Sequence, residues 1–488
     1  MNERQINIIT STVRSVFGGR TKSLLKRARI FANAGLKVRI VTTNFNQDYT
    51  AVLSSLKSRG YIDDRIEFIN IFSFFMKHSQ QTSNVQEFIK QKYGDLTQYK
   101  TRQRDENLDY YSLPEDKRIF AIRRSENKIT LIDEFKGGKR PMYRHYVNQN
   151  GKVSRTRTYV HGSWEPIQDD ILDGNLTPIV TFHLMNKKKT DIILHIDTEY
   201  YFSSETDFFT FFYDQLFHKQ DVVINDARLL DRALLNTRQP VQKIFQLHNT
   251  QLVDPENLHS AIKKSYQSVL TSKENIQIVT LTKKQREIIV SEVPTQATKI
   301  VTIPHSISVR KISVKQRTNH AVIVARLEHQ KNIEDGIIAF SIFLNTYPEF
   351  ILDIYGTGDN LDNLKELVNR LGIDTNVIFH GYIDQTDGVY QSADFSIMSS
   401  QYEAFALSVL ESIANGTQVV SYDVNFGPAE ILGDSAGYIA NENTPESLSI
   451  CMVQAVEEPR KLTEILSRAG QFSNDIFLNR WKELMNLF

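Results

Sequence analysis

Residues 399–432, SSQYEAFALSVLESIANGTQVVSYDVNFGPAEIL, constrain this chain more than any other stretch. The apolar run that ends at Met398 predicts the end of a strand. Residues 399–405 have turn character, and 406–414 predict a helix with Leu407, Leu410 and Ile413 on one side. Gly416 closes that helix. Glu403 then lies in the loop before the helix and Glu411 within it, with seven residues between them. Backbone N–H groups of 404–407 fall at a helix N-terminus, which favours a phosphate or sugar oxygen. Two carboxylates can accept paired sugar or ribose hydroxyls. A loop Glu and a helix Glu are by themselves more often two solvated charges, so the rest of the chain has to weigh in.

The chain opens with a strand at 6–9, the loop Gly18-Gly19, a helix at 21–34 closed by Gly35, and a strand at 38–41. This is a β–loop–α–β unit. Gly18 and Gly19 let backbone approach a ligand at the helix start, or make a plain tight turn. The rhythm breaks near Phe72. Short alternating runs follow at 118–123, 128–135, 143–148, 152–160, 178–185 and 191–196. Between them lie the turn signals Lys136-Gly137-Gly138, Asn148-Gln149-Asn150-Gly151 and Asn186-Lys187-Lys188-Lys189. They predict an antiparallel meander inserted in the first α/β domain, with exposed edges suited to pairing with another subunit. From Lys136 to His161 there are seven Lys/Arg and no Asp or Glu, with Tyr143, Tyr146 and Tyr159 interleaved. Such a run is usually a solvated face. A one-sign patch also suits a polyanion, which makes Arg144, Lys152, Arg155 and Arg157 candidate polymer-binding residues.

The α/β pattern resumes near Phe208. Strands are predicted at 222–226 and 243–247, the second ending in His248-Asn249, at the carboxyl end where open α/β sheets bind ligands. A lone His there is more often structural. A helix is predicted at 256–270, then a strand at 276–279, a helix at 283–290 and a strand at 299–303. Residues 304–318 form a linker. A second α/β domain opens with a strand at 321–325 and a loop flanked by Arg326 and Lys331. Alternating helices and strands follow at 333–344, 350–355, 361–371 and 376–379, with Gly356-Thr357-Gly358 and Gly381-Tyr382 at strand ends. Strand 394–398 leads into the opening stretch. Strand 418–422, the turn Gly427-Pro428-Ala429-Glu430 and helices at 445–456, 459–469 and 476–487 finish it. Repeated strand–helix units imply a parallel sheet with right-handed crossovers.

Composition narrows the partners. With 488 residues, 41% hydrophobic and 24% charged, the chain is an ordinary globular protein of about three domain-sized units. A net charge of +1 argues against nucleic acid as a partner. Cys451, the one cysteine, excludes an internal disulfide and a cysteine-rich metal site and fits a reducing cytoplasm. No stretch approaches the roughly 20 apolar residues of a membrane span, and none at the N-terminus suggests a signal peptide. At most peripheral membrane contact is expected.

Glu403-x₇-Glu411, Arg326-x₄-Lys331 and Gly427-Pro428-x-Glu430 together resemble the retaining GT-B glycosyltransferases of family four. The resemblance implies an α/β fold of two Rossmann-like domains with the antiparallel β-meander inserted in the first. Residues 1–72 and 205–304 would form the acceptor domain and 73–204 the inserted β domain. Residues 305–470 would bind the nucleotide sugar, and the helix in 471–488 would cross back to the first domain. It further implies that Arg326 and Lys331 face the leaving diphosphate. Glu403 and His248 would lie at the donor sugar and Glu411 at the ribose. Gly18, Gly19, Tyr382, Ala406 and Leu407 would complete the donor-binding set. The donor is a UDP-sugar, used as substrate, with no further cofactor and no metal. No Asp-x-Asp metal clamp occurs in the chain. Leaving diphosphate gathers charge in the transition state, so fixed positive groups there meet the catalytic need. No carboxylate is clearly placed as a covalent nucleophile, so same-face attack within an ion pair is the expected route to retention. Ala404 and Ala406 stand where many members have Gly, which leaves the donor sugar open.

Within the family, the insertion, His248-Asn249-Thr250 and the chain length are most similar to the teichoic-acid α-glycosyltransferases. That implies a cytoplasmic enzyme, at the inner face of the membrane, moving glucose or N-acetylglucosamine onto poly(ribitol phosphate) or poly(glycerol phosphate). It also implies a homo-oligomer built through the insertion. Two alternatives stay open at this stage. One is a Ser/Thr N-acetylglucosaminyltransferase acting on a secreted adhesin. The other is a non-catalytic scaffold with the same fold.

Overall fold

A computed structural model describes residues 4–76, 84–113, 118–312 and 316–487. Parts of the expected insertion (77–83 and 114–117) and linker (313–315) lie outside the described residues. The chain divides into two compact units, Met1–Lys243 and Ile244–Phe488.

In the first unit, parallel strands lie in the order Val222–Asn225, Gln5–Thr10, Lys37–Thr42, Ile66–Asn70. Gln5–Thr10 is buried at five consecutive positions, as a strand covered on both faces must be. Helix Gly19–Asn33 follows it and buries Leu24, Leu25, Ala28 and Phe31 on one side. The expected β–loop–α–β unit therefore forms, its helix starting two residues before the expected 21. Arg27 is on the buried face too. Its guanidinium meets the Asp226 carboxylate at 2.6 Å, with side chains 2% and 0% exposed. Asp226 follows strand Val222–Asn225, so the pair ties the helix to the carboxyl end of a neighbouring strand. Burial pushes the Arg27 pKa down, and Asp226 opposes the shift.

Asp231 is buried nearby, accepting from Asn225 Nδ2 at 2.7 Å, with Arg228 Nη1 at 3.3 Å. Burial outweighs the opposing pull of Arg228 and Asn225 and pushes its carboxyl up to about 7. The folded pKa thus lies above the unfolded one. The stabilisation from the protonated form is fully present below the unfolded pKa and is lost as pH rises through about 7. Asp231→Asn keeps an oxygen acceptor for Asn225. It is expected to stabilise the protein at pH 8 by on the order of 2 kcal/mol, a gain that shrinks toward zero near pH 4. Melting curves at both pH values test it; an equal change at both would mean that Asp231 does not titrate on unfolding.

The insertion is a ten-stranded antiparallel sheet in strict chain order, from Lys100–Asp105 to Glu199–Phe202. All six runs expected from the sequence are strands. Four more were not legible: Lys100–Asp105, Leu108–Ser112, Pro166–Leu172 and Glu199–Phe202. Lys100–Asp105, KTRQRD, has no apolar residue and every position is exposed, so only pairing with its neighbour makes it a strand. Asn186 and Lys187, both at positive φ, make the two-residue turn between Pro178–Met185 and Lys188–His195. Helix Val85–Tyr93 buries Val85, Phe88, Ile89 and Tyr93 against Phe120, Ile122, Ile132 and Val153 of the sheet. Phe75 packs on Phe208 and Phe212 of helix Glu205–Leu216, and Phe72 on Phe182.

The second unit contains parallel strands Ile276–Thr280 and Ile300–Thr302 and a separate six-stranded sheet. The six-stranded order is Val377–Gly381, Ile351–Tyr355, His320–Val324, Phe395–Met398, Gln418–Ser421, Gly437–Ile439. Numbered from its first strand this is 3-2-1-4-5-6, and every pair is parallel. The order reverses between His320–Val324 and Phe395–Met398. The loops leaving those two strands therefore diverge to opposite faces and open a crevice at the carboxyl edge. The expectation of a helix over 256–270 needs correction: only Lys264–Leu270 is helical. Asp254 and Asn257 side chains accept from the N–H groups of Glu256 and His259, turning the backbone locally instead.

Candidate active site

The two loops at the reversal point are 325–332 and 399–406. The first is held by its neighbours' backbone. Ala325 N–H donates to Tyr355 O and Leu327 N–H to Thr357 O, each at 3.0 Å. Gly356 lies so close that a Cβ there would sit 1.8 Å from Ala325 O, so only glycine fits. The two loops are stitched together as well. Gln330 Nε2 donates to Tyr402 O at 3.0 Å, Gln401 N–H to Gln330 O at 3.0 Å, and Ser399 Oγ to Asn332 O at 2.8 Å.

Between them Lys331 Nζ meets Glu403 Oε1 at 2.5 Å, with side chains 17% and 10% exposed. Ser400 Oγ donates to the same oxygen at 2.9 Å. The backbone of Glu403 is pinned too: its N–H donates to Asn425 O at 2.8 Å, and its carbonyl accepts from Phe426 N–H at 2.6 Å. Arg326 is exposed on the same loop and bonds to Glu328 at 2.5 Å. A shielded cation–carboxylate pair and a second, exposed cation thus lie on these loops.

Each loop ends in a helix whose N-cap is left-handed: Asn332 (φ 44°) before Ile333–Phe343, and Ala406 (φ 66°) before Leu407–Ala414. The amino ends differ in charge. Glu334 and Asp335 lie in the first turn of Ile333–Phe343, whereas the first turn of Leu407–Ala414 has no acidic residue. The second is the better end for an anion. Ala406 is buried and adopts a conformation that costs an L-residue about 1–2 kcal/mol. The methyl that the sequence pointed out is therefore held, buried, under strain. Glu411, one turn further along, is half-buried and accepts from Thr386 Oγ1 at 3.4 Å. Tyr382 is 61% exposed.

His248 follows strand Gln242–Gln246 and is half-buried, its ring parallel to that of His305. Gly427 and Glu430 have structural roles. A Cβ on Gly427, whose φ is +113°, would sit 2.1 Å from Phe405 O. Glu430 accepts from the N–H groups of Lys283 and Lys284 at 2.8 and 2.9 Å, capping helix Lys283–Glu292. That motif glutamate serves as a cap, a role sequence reasoning did not assign.

In the first unit, Gly18 caps helix Gly19–Asn33 in extended conformation. The basic run of the insertion differs from its expected form. Arg144 is bidentate to Asp133 at 2.7 and 2.9 Å, and Arg155 and Arg157 both reach Asp169 at 2.7 Å. The picture of an uncompensated positive stripe is therefore corrected, because the adjacent strands supply the missing acids. Asp133 lies opposite Arg144, and Asp169 opposite Arg157. Arg144 also lies over Trp164 and Arg155 over Tyr146, at 5.0 and 4.8 Å from the ring centres. Sequence reasoning also missed Ser400, Gln330, Glu328 and His305, none of which has a spacing that marks it. Among the described residues no group of three or more His, Cys, Asp or Glu could hold a metal ion.

Parallel Rossmann-like sheets with an antiparallel insertion, and a cation–carboxylate pair at a reversal point, make this a GT-B fold. Residues 307–471 match the family Glycosyl transferases group 1. Relatives match most of the chain. The poly(glycerol-phosphate) alpha-glucosyltransferase of Bacillus subtilis (strain 168) is 24% identical over 98% of this chain and 74% of its own. The poly(ribitol-phosphate) alpha-N-acetylglucosaminyltransferase of Staphylococcus aureus (strain COL) is 23% identical over 96% and 97%. A TarM mutant from S. aureus, solved with fondaparinux, alpha-GlcNAc-glycerol and UDP, superposes with a TM-score of 0.88. It is 20% identical, over 99% of this chain and 100% of that one.

Proposed function

We propose that this chain is a retaining UDP-sugar glycosyltransferase that α-links a hexose, glucose or N-acetylglucosamine, to the polyol-phosphate repeats of wall teichoic acid. The observation that carries the reading is the Lys331–Glu403 pair at the 3-2-1-4-5-6 reversal point, beside the acid-free amino end of Leu407–Ala414. Two relatives matched over nearly all of this chain, a poly(glycerol-phosphate) glucosyltransferase and a poly(ribitol-phosphate) N-acetylglucosaminyltransferase, support it. As the sugar–phosphate bond breaks, charge grows on the diphosphate. Lys331, Arg326 and the N–H groups at Ala406 and Leu407 stabilise it, and Glu411 holds the ribose. His248 lies at the sugar. The enzyme is cytoplasmic, with at most peripheral contact at the inner face of the membrane, and self-associates through the inserted sheet. Exposed edge strands Lys100–Asp105 and Glu199–Phe202 support self-association. Among the described residues no helix is long and apolar enough to cross a membrane.

Nucleotide release, measured for each UDP-sugar with and without glycerol- or ribitol-phosphate polymer, tests the activity. One donor turned over only when polymer is present is expected. Release that no polyol-phosphate polymer stimulates would overturn the acceptor class. Arg144, Lys152, Arg155 and Arg157 are proposed to hold the polymer away from the reaction centre. Because the three arginines are already paired with Asp133 or Asp169, replacing all four residues with Gln is expected to raise the apparent KM for long polymer by only about three- to tenfold. KM for a one- or two-unit acceptor should barely move. Equal loss on both lengths would point to damage to the sheet, and no loss on either to a solvated face.

A further inference from the structure

We infer that His305 is a positioning residue that sets the plane of the His248 ring against the loop carrying Glu403. The inference rests on the proposed place of His248 at the donor sugar. The two imidazoles lie nearly parallel, 17° apart, with ring centres 5.8 Å apart. On its other side His305 meets Phe405 edge-on, at 5.1 Å and 87°. His305 is only 8% exposed, and Phe405 4%.

Phe405 is closely packed. Its carbonyl lies where a Cβ on Gly427 would be 2.1 Å away, and its ring packs on Phe472 at 6.3 Å. It stands two residues after Glu403 and one before the N-cap of Leu407–Ala414. The other end of the stack is fixed as well. His305 follows strand Ile300–Thr302 through Pro304, whose ring locks the backbone leading to it. His248 needs such support because its second side-chain torsion is broad, so the rotamer alone does not set the ring plane. A flat neighbour does so, and the row His248–His305–Phe405 transmits the geometry of the Glu403 loop to His248.

Steady-state transfer kinetics and UDP calorimetry on the full chain test this, using His248→Ala, His305→Ala, His305→Phe and the double alanine variant. His305→Ala is expected to lower kcat by about ten- to a hundredfold, the cost of a ring about an ångström out of place, with UDP affinity almost unchanged. His305→Phe restores a flat ring and most of kcat. In the His248→Ala background His305→Ala should cost almost nothing further, because its effect runs through His248. The same fold-loss in both backgrounds overturns the inference, as does wild-type kcat in His305→Ala when His248→Ala is impaired. Equal loss in His305→Phe and His305→Ala, with weakened UDP binding, also overturns it in favour of a packing role. Wild-type kcat in His248→Ala would overturn the role of His248 and this inference with it.

Discussion

Lys331→Ala is expected to lower turnover by about two to three orders of magnitude, while affinity for the UDP-sugar falls far less. The leaving diphosphate carries more charge in the transition state than in the bound donor. A cation already fixed beside it lowers the barrier without reorganising during the reaction. Lys331 is proposed to be that cation: its ammonium is 2.5 Å from Glu403, largely shielded from water, on a loop stitched to its neighbour. Arg326 does not replace it, being exposed and on a flexible stem. The variant also leaves the Glu403 carboxylate with the Ser400 hydroxyl, so some stability will be lost. Lys331→Gln separates the effects, since its amide can still donate to Glu403 but carries no charge. Both variants should lose turnover alike, and melting curves show whether they remain folded. Near-wild-type turnover in a folded Lys331→Ala protein would remove Lys331 from the reaction.

The second large effect concerns folding. Arg27→Met should cost about 3–5 kcal/mol, because it leaves the fully buried Asp226 carboxylate without its 2.6 Å partner. Pairing it with Asp226→Leu should recover most of the loss, since two apolar side chains replace two desolvated charges. Urea unfolding of both variants, followed by tryptophan fluorescence, measures this. A single-variant cost below about 1 kcal/mol would mean that the pair does not tie helix Gly19–Asn33 to the strand end.

Parts of the molecule that depend on local chemistry were legible in the sequence. Strand-to-loop-to-helix units around Arg326, Lys331, Glu403 and Glu411 follow from hydrophobic period and glycine stops, and the structure places Lys331 against Glu403. Features that depend on what lies across space were not. The basic run looked uncompensated because Asp133 and Asp169 come from neighbouring strands. Lys100–Asp105 is a strand by pairing alone. Glu430 caps a helix 146 and 147 positions away in the chain, so no local pattern could disclose the role. Asp254 and Asn257 replace the start of the expected helix by accepting from backbone N–H groups two residues on, a competition that apolar periodicity does not register.

The central claim, α-transfer with retention onto a polyol phosphate, is tested most directly by the product itself. The purified chain is incubated with the UDP-sugar it turns over and a short glycerol- or ribitol-phosphate acceptor, with a Ser-rich peptide in parallel. Proton NMR of the product then reads the anomeric coupling. The account predicts a single α-linked hexose on the polyol hydroxyl and no transfer to the peptide. A β-linked product, or transfer to the peptide with none to the polyol phosphate, would contradict it.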